Sequence, residues 1–194
     1  MEYRLNKKTL LARLSEWNTF LKRKVSLIAC GGTALTLLDV KPSTKDVDFM
    51  VPLERDYKYL TKILRDLGYR SGSGYGWVKK DEVYLFDLFP GKRIHTTELL
   101  ESPLEEDCHI PLEGFSHLYI GILNYYDLIT SKIFRGTAVD FEDCLLLVEA
   151  RRDDIDTKRL DEHCRQLASY DVSEQRILGN LEHFFSLLDE RGLL

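Results

Sequence analysis

The stretch LIACGGTALTLLDVKPSTKDVDFMV, residues 27–51, contains the features that decide the fold. An apolar run ends at the glycine pair at residues 31–32, and a short segment of helical character follows at residues 33–38. The chain then returns to an apolar run that carries two carboxylates, Asp46 and Asp48. These features predict a buried strand, a glycine turn, a short helix and a second strand. The two carboxylates need a counter-charge, because burying them without one is unfavourable.

The composition is that of an ordinary globular chain with enough apolar residues for a sizeable core. The chain has 194 residues, of which 44% are hydrophobic and 30% are charged. This length allows one generous domain or two small ones. The formal net charge of −5 argues against a broad surface that coats nucleic acid, since such surfaces usually carry a basic excess.

Cysteine spacing and hydropathy favour a cytoplasmic protein. The four cysteines lie far apart with no CxxC pair, so a zinc knuckle is not expected. Three of them have apolar neighbours and are predicted to be buried reduced thiols, namely Cys30, Cys144 and Cys164. The opening residues MEYRLNKK are too polar for a signal peptide, and no apolar run approaches the ~20 residues of a membrane span. No membrane association is therefore expected.

Apolar spacing outside the quoted stretch predicts an α/β (α+β) fold in two parts. Residues 6–24 and 55–67 have helical spacing, and residues 83–89 and 119–123 have strand character. The glycine-rich SGSGYGW at residues 71–77 lacks the Lys-Ser/Thr of a P-loop, so a hairpin connection is the better interpretation. From residue 124 onward the pattern predicts only helices, at 124–134, 140–150, 156–168 and 173–190, with Asn124, Asp140, Asp156 and Ser173 as N-caps.

The predicted boundary between the two parts follows from this change of pattern. Residues 1–123 are predicted to form a domain with a mixed sheet flanked by helices. Residues 124–194 are predicted to form a C-terminal helical bundle.

Three aspartates interrupt the apolar strands and are candidate metal ligands. Side chains alternate along a strand, so Asp46 and Asp48 share one face while the apolar residues between them point to the other. Like charges on one face repel, whereas a hard divalent cation such as Mg²⁺ or Mn²⁺ binds carboxylate oxygens. Asp87 would join them if its strand is a neighbour. In the alternative interpretation Asp46 caps a strand end, Asp48 pairs with Lys45, and Asp87 is an ordinary edge residue.

The glycine turn predicts a phosphate site beside these carboxylates. Gly31 and Gly32 end a buried strand and open a helix, where backbone N–H groups are free to bind phosphate. Thr33 adds a hydroxyl donor. A phosphate-binding turn next to a metal site is what a nucleoside triphosphate requires, because the metal neutralises the phosphates that the turn holds.

The two motifs together resemble the signature of the DNA polymerase β-like nucleotidyltransferase superfamily. GGTAL at residues 31–35 is followed by TKDVD at residues 44–48, and the family signature adds a third carboxylate on a later strand, for which Asp87 is the candidate. The similarity is greatest to the minimal prokaryotic nucleotidyltransferases, including abortive-infection-type toxins. The resemblance implies a nucleotidyltransferase-like sheet and three catalytic, metal-binding aspartates. It also makes Lys45 a candidate nucleotide ligand.

The resemblance extends into the helical part at residues 132–143. This segment is similar to the lysine-bearing helix and the Asp-x-x-Asp helix of the toxin-like subgroup. Lys132 and Arg135 share a helix face and are predicted to bind the triphosphate, with Asp140 and Asp143 as possible additional site residues. The alternatives are a solvated basic face, a helix cap at Asp140, and a favourable interaction of Asp143 with the helix dipole.

The sequence therefore predicts a metal-dependent nucleotidyltransferase. It would transfer a nucleoside monophosphate from an NTP to a hydroxyl acceptor, which could be a tRNA, a protein or a small molecule. Asp87 would ligate a second metal or accept the proton of the attacking hydroxyl. The toxin-like resemblance also implies a possible small protein partner. The alternative function is a non-catalytic nucleotide-binding or interaction protein that retains the fold.

Overall fold

The computed structural model describes residues 4–80 and 82–194. Residues 1–3 and 81 of the predicted domain 1–123 lie outside the described residues. Within those ranges the chain forms seven helices and nine strands. The helices are α1 (Lys7–Phe20), α2 (Gly31–Leu37), α3 (Glu54–Asp66), α4 (Tyr125–Arg135), α5 (Ala138–Ala150), α6 (Thr157–Ala168) and α7 (Glu174–Glu190). The strands are β1 (Val25–Ala29), β2 (Val47–Val51), β3 (Tyr69–Ser71), β4 (Gly76–Lys79), β5 (Phe86–Pro90), β6 (Arg93–Ile94), β7 (Thr97–Glu98), β8 (His109–Gly114) and β9 (Leu118–Leu123).

The described strands form one mixed sheet of seven strands and a separate small hairpin. The sheet order is β3-β4-β5-β2-β1-β9-β8, and β6 pairs with β7. At the centre β1 is antiparallel to β2 and parallel to β9, while β2 is parallel to β5. All five residues of β2 are buried, which explains their near-continuous apolar character. The predicted mixed sheet is therefore confirmed.

The first helix shows how local sequence signals determine these elements. Asn6 caps α1, and its side-chain oxygen accepts a hydrogen bond from the Thr9 N–H at 2.9 Å. Leu10, Leu14 and Trp17 recur at helical spacing and are buried. The glycine-rich segment behaves as predicted as well, because β3 and β4 form an antiparallel hairpin around it.

The helical part begins where the sequence predicted, although one of its caps was wrong. The Asn124 side chain caps α4, and the Asp156 side chain caps α6. The prediction of Asp140 as the cap of α5 is wrong, because Thr137 takes that position. Asp140 is the third residue of the helix and closes a reciprocal capping box with Thr137. Ser173 stands at the cap of α7 but makes no side-chain cap hydrogen bond.

One continuous core joins the sheet to the C-terminal helices. Buried residues of β9, such as Ile120 and Ile122, belong to the same cluster as Leu128 and Ile133 of α4. The predicted division into two domains at residue 123 therefore stays a prediction. The three cysteines expected to be buried thiols are buried and free, namely Cys30, Cys144 and Cys164. Among the described residues, no helix combines the length and apolar character needed to cross a membrane.

Candidate functional site

The sheet register brings two of the predicted site aspartates side by side. In the parallel pairing of β2 with β5, Asp48 lies directly opposite Asp87. Directly paired residues on neighbouring strands point to the same face, so both side chains leave the sheet together. Asp46 comes immediately before β2 and is exposed. The three residues that interrupt the apolar runs therefore meet at one end of the central strands.

The Asp48 carboxyl is buried close to other carboxylates, so its ionised form is unfavourable. Asp48 is only 8% exposed. Burial raises the pKa of its carboxyl to about 7, with a further contribution from Asp87, while Arg135 opposes the rise and Asp46 adds to it. The pKa of Asp87 is also raised, by burial and then by the Asp46 charge. These carboxylates destabilise one another in their ionised forms, and a bound cation would relieve that repulsion.

Gly31 is required by the close approach of α2 to Asp48. Its φ of +56° lies in the left-handed region, which L side chains rarely adopt. A Cβ atom built on Gly31 would lie 2.4 Å from Asp48 Oδ2, well inside van der Waals contact. The glycine pair thus serves two purposes, since Gly31 makes room for the carboxylate and Gly32 lines the cleft described below.

We expect Gly31→Ala to lower the free energy of unfolding by about 2 kcal/mol, because it adds left-handed strain and displaces the Asp48 carboxylate. Chemical denaturation measures this change. Gly179→Ala in α7 is a matched control, since Gly179 lies within a helix and a Cβ there meets nothing within 4 Å. The control should leave stability unchanged or raise it slightly. Equal stability of the two variants would contradict the proposed role of Gly31.

Thr33, predicted to donate to phosphate, is occupied within the fold. Its side chain is fully buried, and its hydroxyl accepts a hydrogen bond from the Asp48 N–H at 2.9 Å. The same hydroxyl donates to the Asp46 carbonyl oxygen at 3.3 Å. Thr33 therefore fixes the start of β2 against α2. The prediction failed to anticipate this because the sequence alone does not show which side of so short a helix faces the sheet.

A cleft of about 380 Å³ contains most of the other predicted site residues. It lies between the N-terminal end of β2 and the facing ends of α4 and α5. Predicted residues that line it are Gly32, Lys45, Asp46, Asp48, Lys132, Arg135, Asp140 and Asp143. Gly31, Thr33 and Asp87 do not line it, although Asp87 is the register partner of Asp48, which does. The cleft has the polar lining that a charged ligand requires.

The two predicted phosphate ligands on α4 are held by the two aspartates on α5. Lys132 is 2% exposed, and its ammonium group lies 2.7 Å from Asp143 Oδ2 and 3.6 Å from Asp140 Oδ1. The Arg135 guanidinium donates to the same Asp140 oxygen. Lys132 and Arg135 are therefore not a solvated basic face. They belong to a buried ionic network at the wall of the cleft.

Sequence reasoning missed two further cations of the cleft, Arg4 and Lys41. Arg4 arrives there because Leu5 forms an isolated bridge with Thr44, and the Arg4 Nε donates to Ser43 Oγ at 3.2 Å. No local sequence pattern predicts the bridge between Leu5 and Thr44. Lys41 had a weak signal, since it lies between the glycine turn and the Asp-x-Asp motif.

The carboxylate oxygens at this site suit a divalent cation that a substrate also binds. Within residues 4–80 and 82–194, no three His, Cys, Asp or Glu side chains are arranged to enclose a metal ion. The three-ligand assignment to Asp46, Asp48 and Asp87 therefore stays a prediction. Carboxylate oxygens are nevertheless the donors that Mg²⁺ and Mn²⁺ prefer, and Mg²⁺ commonly takes one or two carboxylates together with substrate phosphates.

Comparison with known proteins leaves the activity of this chain open. No protein-family model and no curated protein matches the sequence. The crystal structure of ANT(2″)-Ia in complex with adenylyl-2″-tobramycin is similar at 19% identity and a TM-score of 0.42, over 91% of this chain and 93% of that chain. The solution structure of the antibiotic-resistance factor ANT(2″)-Ia is similar at 18% identity and a TM-score of 0.42, over 94% and 91%. At these values the likeness assigns no function to this chain.

Proposed function

We propose that this chain is a metal-dependent nucleotidyltransferase of the DNA polymerase β-like type. It would transfer a nucleoside monophosphate from an NTP to a hydroxyl acceptor. The observation that supports this most strongly is the parallel pairing of β2 with β5, in which Asp48 and Asp87 are register partners. The pair lies beside a cleft lined by Lys132 and Arg135. Carboxylates on one side and the cations Lys132 and Arg135 on the other suit a metal–triphosphate.

Each group has a distinct part in the proposed reaction. Asp46 and Asp48 would hold Mg²⁺ or Mn²⁺, which when bound supplies positive charge to the triphosphate. Lys132 and Arg135 would stabilise the charge that develops on the pyrophosphate. Asp87 would accept the proton of the acceptor hydroxyl, whose oxygen forms a bond to the α-phosphorus as the bond from that phosphorus to the β-phosphate oxygen breaks. Gly32 and Lys45 would contact the phosphates.

The raised pKa of Asp48 predicts how folding stability and Mg²⁺ affinity depend on pH. In the folded state this carboxyl keeps its proton up to about pH 7, whereas its ordinary pKa is 3.8. Without divalent metal its contribution to stability therefore falls as pH rises from about 4 to about 7. Metal binding must displace that proton, so Mg²⁺ affinity should rise with pH across the same interval.

The measurement is the melting temperature between pH 5 and pH 8, with and without Mg²⁺ and an NTP. Wild type should be stabilised by Mg²⁺ and NTP more strongly at high pH. Asp48→Asn should lose most of that stabilisation above about pH 7, where wild-type Asp48 is ionised, because Asn cannot supply the second negative charge near the metal. NTP binding that is equally tight with and without Mg²⁺ would contradict the metal-bridged arrangement.

Labelling tests the proposed activity directly. The chain is incubated with each α-labelled NTP, Mg²⁺ and total cell extract, and the labelled product is assigned to RNA, protein or small molecules. A purified aminoglycoside such as tobramycin serves as one defined small-molecule acceptor. Tight NTP binding without transfer to any acceptor would favour the alternative, a non-catalytic nucleotide-binding protein.

The toxin-like subgroup and its small protein partner remain predictions from the resemblance. They are tested by asking whether the product of an adjacent small gene binds the chain and blocks transfer.

A further inference from the structure

Lys41 links the sheet to the C-terminal helices at the wall of the cleft. It lies on the loop between α2 and β2, and its ammonium group donates to Asp143 Oδ1 at 2.6 Å. The other oxygen of that carboxylate accepts from Lys132 Nζ at 2.7 Å. One carboxylate therefore holds two ammonium groups, one from the loop between α2 and β2 and one from α4. Lys41, Lys132 and Asp143 all line the cavity.

The loop presents Lys41 in a fixed direction. The N–H groups of Val40 and Lys41 both donate to the Leu35 carbonyl oxygen, at 2.9 and 3.1 Å. The Arg151 guanidinium donates to the Leu38 carbonyl oxygen at 2.8 Å and ties the loop to the end of α5. The backbone is held up to Lys41 and the ammonium group is held by Asp143, so part of the ordering cost of the side chain is met before a ligand arrives.

Asp143 holds two lysine ammonium groups at the cleft, where a phosphate group could also contact them. Burial tends to raise the pKa of its carboxyl, but Lys132 and Lys41 outweigh burial and hold the pKa below its ordinary value. The group is therefore an anion shared by two cations, and the three charges sum to one positive charge. A phosphate oxygen in the cleft can approach the same two ammonium groups, because both residues line it and both contact one carboxylate.

We propose that Lys41 binds the terminal phosphates of a nucleoside triphosphate, next to Lys132, and that Asp143 holds the Lys41 ammonium group in place for them. This inference rests on the proposed function in so far as it takes the cleft to be the triphosphate site. The ligand class is a polyphosphate chain, with or without a nucleoside. Such a ligand would contact Lys41 beside the sheet and Lys132 on α4. Its binding should therefore also stabilise the packing of the C-terminal helices against the sheet.

Calorimetry with ATP, AMP and inorganic tripolyphosphate tests the inference in wild type, Lys41→Met and Lys7→Met. We expect Lys41→Met to weaken ATP and tripolyphosphate binding about 10-fold or more, the effect of losing one charged hydrogen bond, and to leave AMP binding unchanged. Lys7→Met is the matched control. Lys7 makes an ion pair with Asp39 at 2.5 Å, and Asp39 lies two residues before Lys41 in the sequence. This pair is more exposed than the Lys41–Asp143 pair, and Lys7 does not line the cleft.

The outcomes separate this inference from the proposed function. Equal tripolyphosphate affinity in Lys41→Met and Lys7→Met would overturn it, and so would an absence of tripolyphosphate binding to wild type. Equal weakening of ATP and AMP would assign Lys41 a purely structural role and would also overturn it. If wild type transfers no nucleotide but its ATP affinity depends on Lys41, the inference stands and the catalytic proposal fails. Melting curves of each variant confirm that the protein remains folded.

Discussion

Asp87→Asn is expected to reduce nucleotidyl transfer by about 100-fold or more while leaving NTP affinity nearly unchanged. Loss of a general base or catalytic ligand typically has an effect of this size. Asp87 lies at the same register as Asp48 but does not line the cleft that would hold the triphosphate. Its loss should therefore affect the transition state more than the bound ground state. The substitution is nearly isosteric, so little packing is lost.

A second, electrostatic reason predicts that Asp87→Asn keeps its NTP affinity. The Asp87 charge raises the pKa of Asp48, so removing it leaves Asp48 more fully ionised at neutral pH and better able to hold a cation. Calorimetry gives the NTP affinity, and the labelled product of the extract assay gives the transfer rate. Asp66→Asn, at the exposed end of α3, is the matched control and should transfer at the wild-type rate.

The NTP affinity and the transfer rate together test the role of Asp87 independently of the nucleotidyltransferase proposal. If Asp87→Asn transfers as fast as wild type, the residue has no catalytic role even if the nucleotidyltransferase proposal stands. If it loses NTP affinity in parallel with transfer, its part is in holding the metal–triphosphate and not in activating the acceptor hydroxyl.

Most of the fold could be predicted because its signals are local. Each signal is contained in one short segment of the chain. Examples are the apolar stripe of α1, the buried apolar run of β1 and the glycine turn at the start of α2. The edge strand β8 was missed, because Pro111 interrupts it and its side chains are partly or fully exposed. The two-residue strands β6 and β7 are too short to show any periodicity.

The candidate site could be predicted only where its residues interrupt a pattern. Asp48 and Asp87 stand out because a charge in an apolar strand is unfavourable unless it is compensated. Lys41 could not be found in this way, because its partner Asp143 is 102 residues away in the sequence. The pairing of Lys132 with Asp143 also depends on how α4 packs against α5, which sequence spacing does not specify. The sequence thus identified the strand carboxylates more completely than the cations that face them.

Lys132→Met should lower the free energy of unfolding by about 3 kcal/mol, which for a chain of this size is roughly a 10 °C fall in melting temperature. Met keeps most of the side-chain volume but removes the ammonium group, so Asp143 and Asp140 each lose a buried partner. Lys58→Met is the matched control. Lys58 also lies on a helix with an ion pair at 2.7 Å, to Glu54, but both side chains are more than 70% exposed. The control should therefore change stability by no more than about 0.5 kcal/mol.

A double variant distinguishes an unpaired charge from a simple packing loss. Adding Asp143→Leu to Lys132→Met removes the carboxylate that the first change left short of a partner, so part of the lost stability should return. If the two changes add independently, the cost of Lys132→Met comes from packing and not from the Asp143 charge, which keeps Lys41 as a partner. If Lys132→Met is no more destabilising than Lys58→Met, the buried network contributes nothing beyond a surface ion pair. Lys132 would then be held in the cleft by charges that add little to folding, which would leave phosphate binding as the reason for its position.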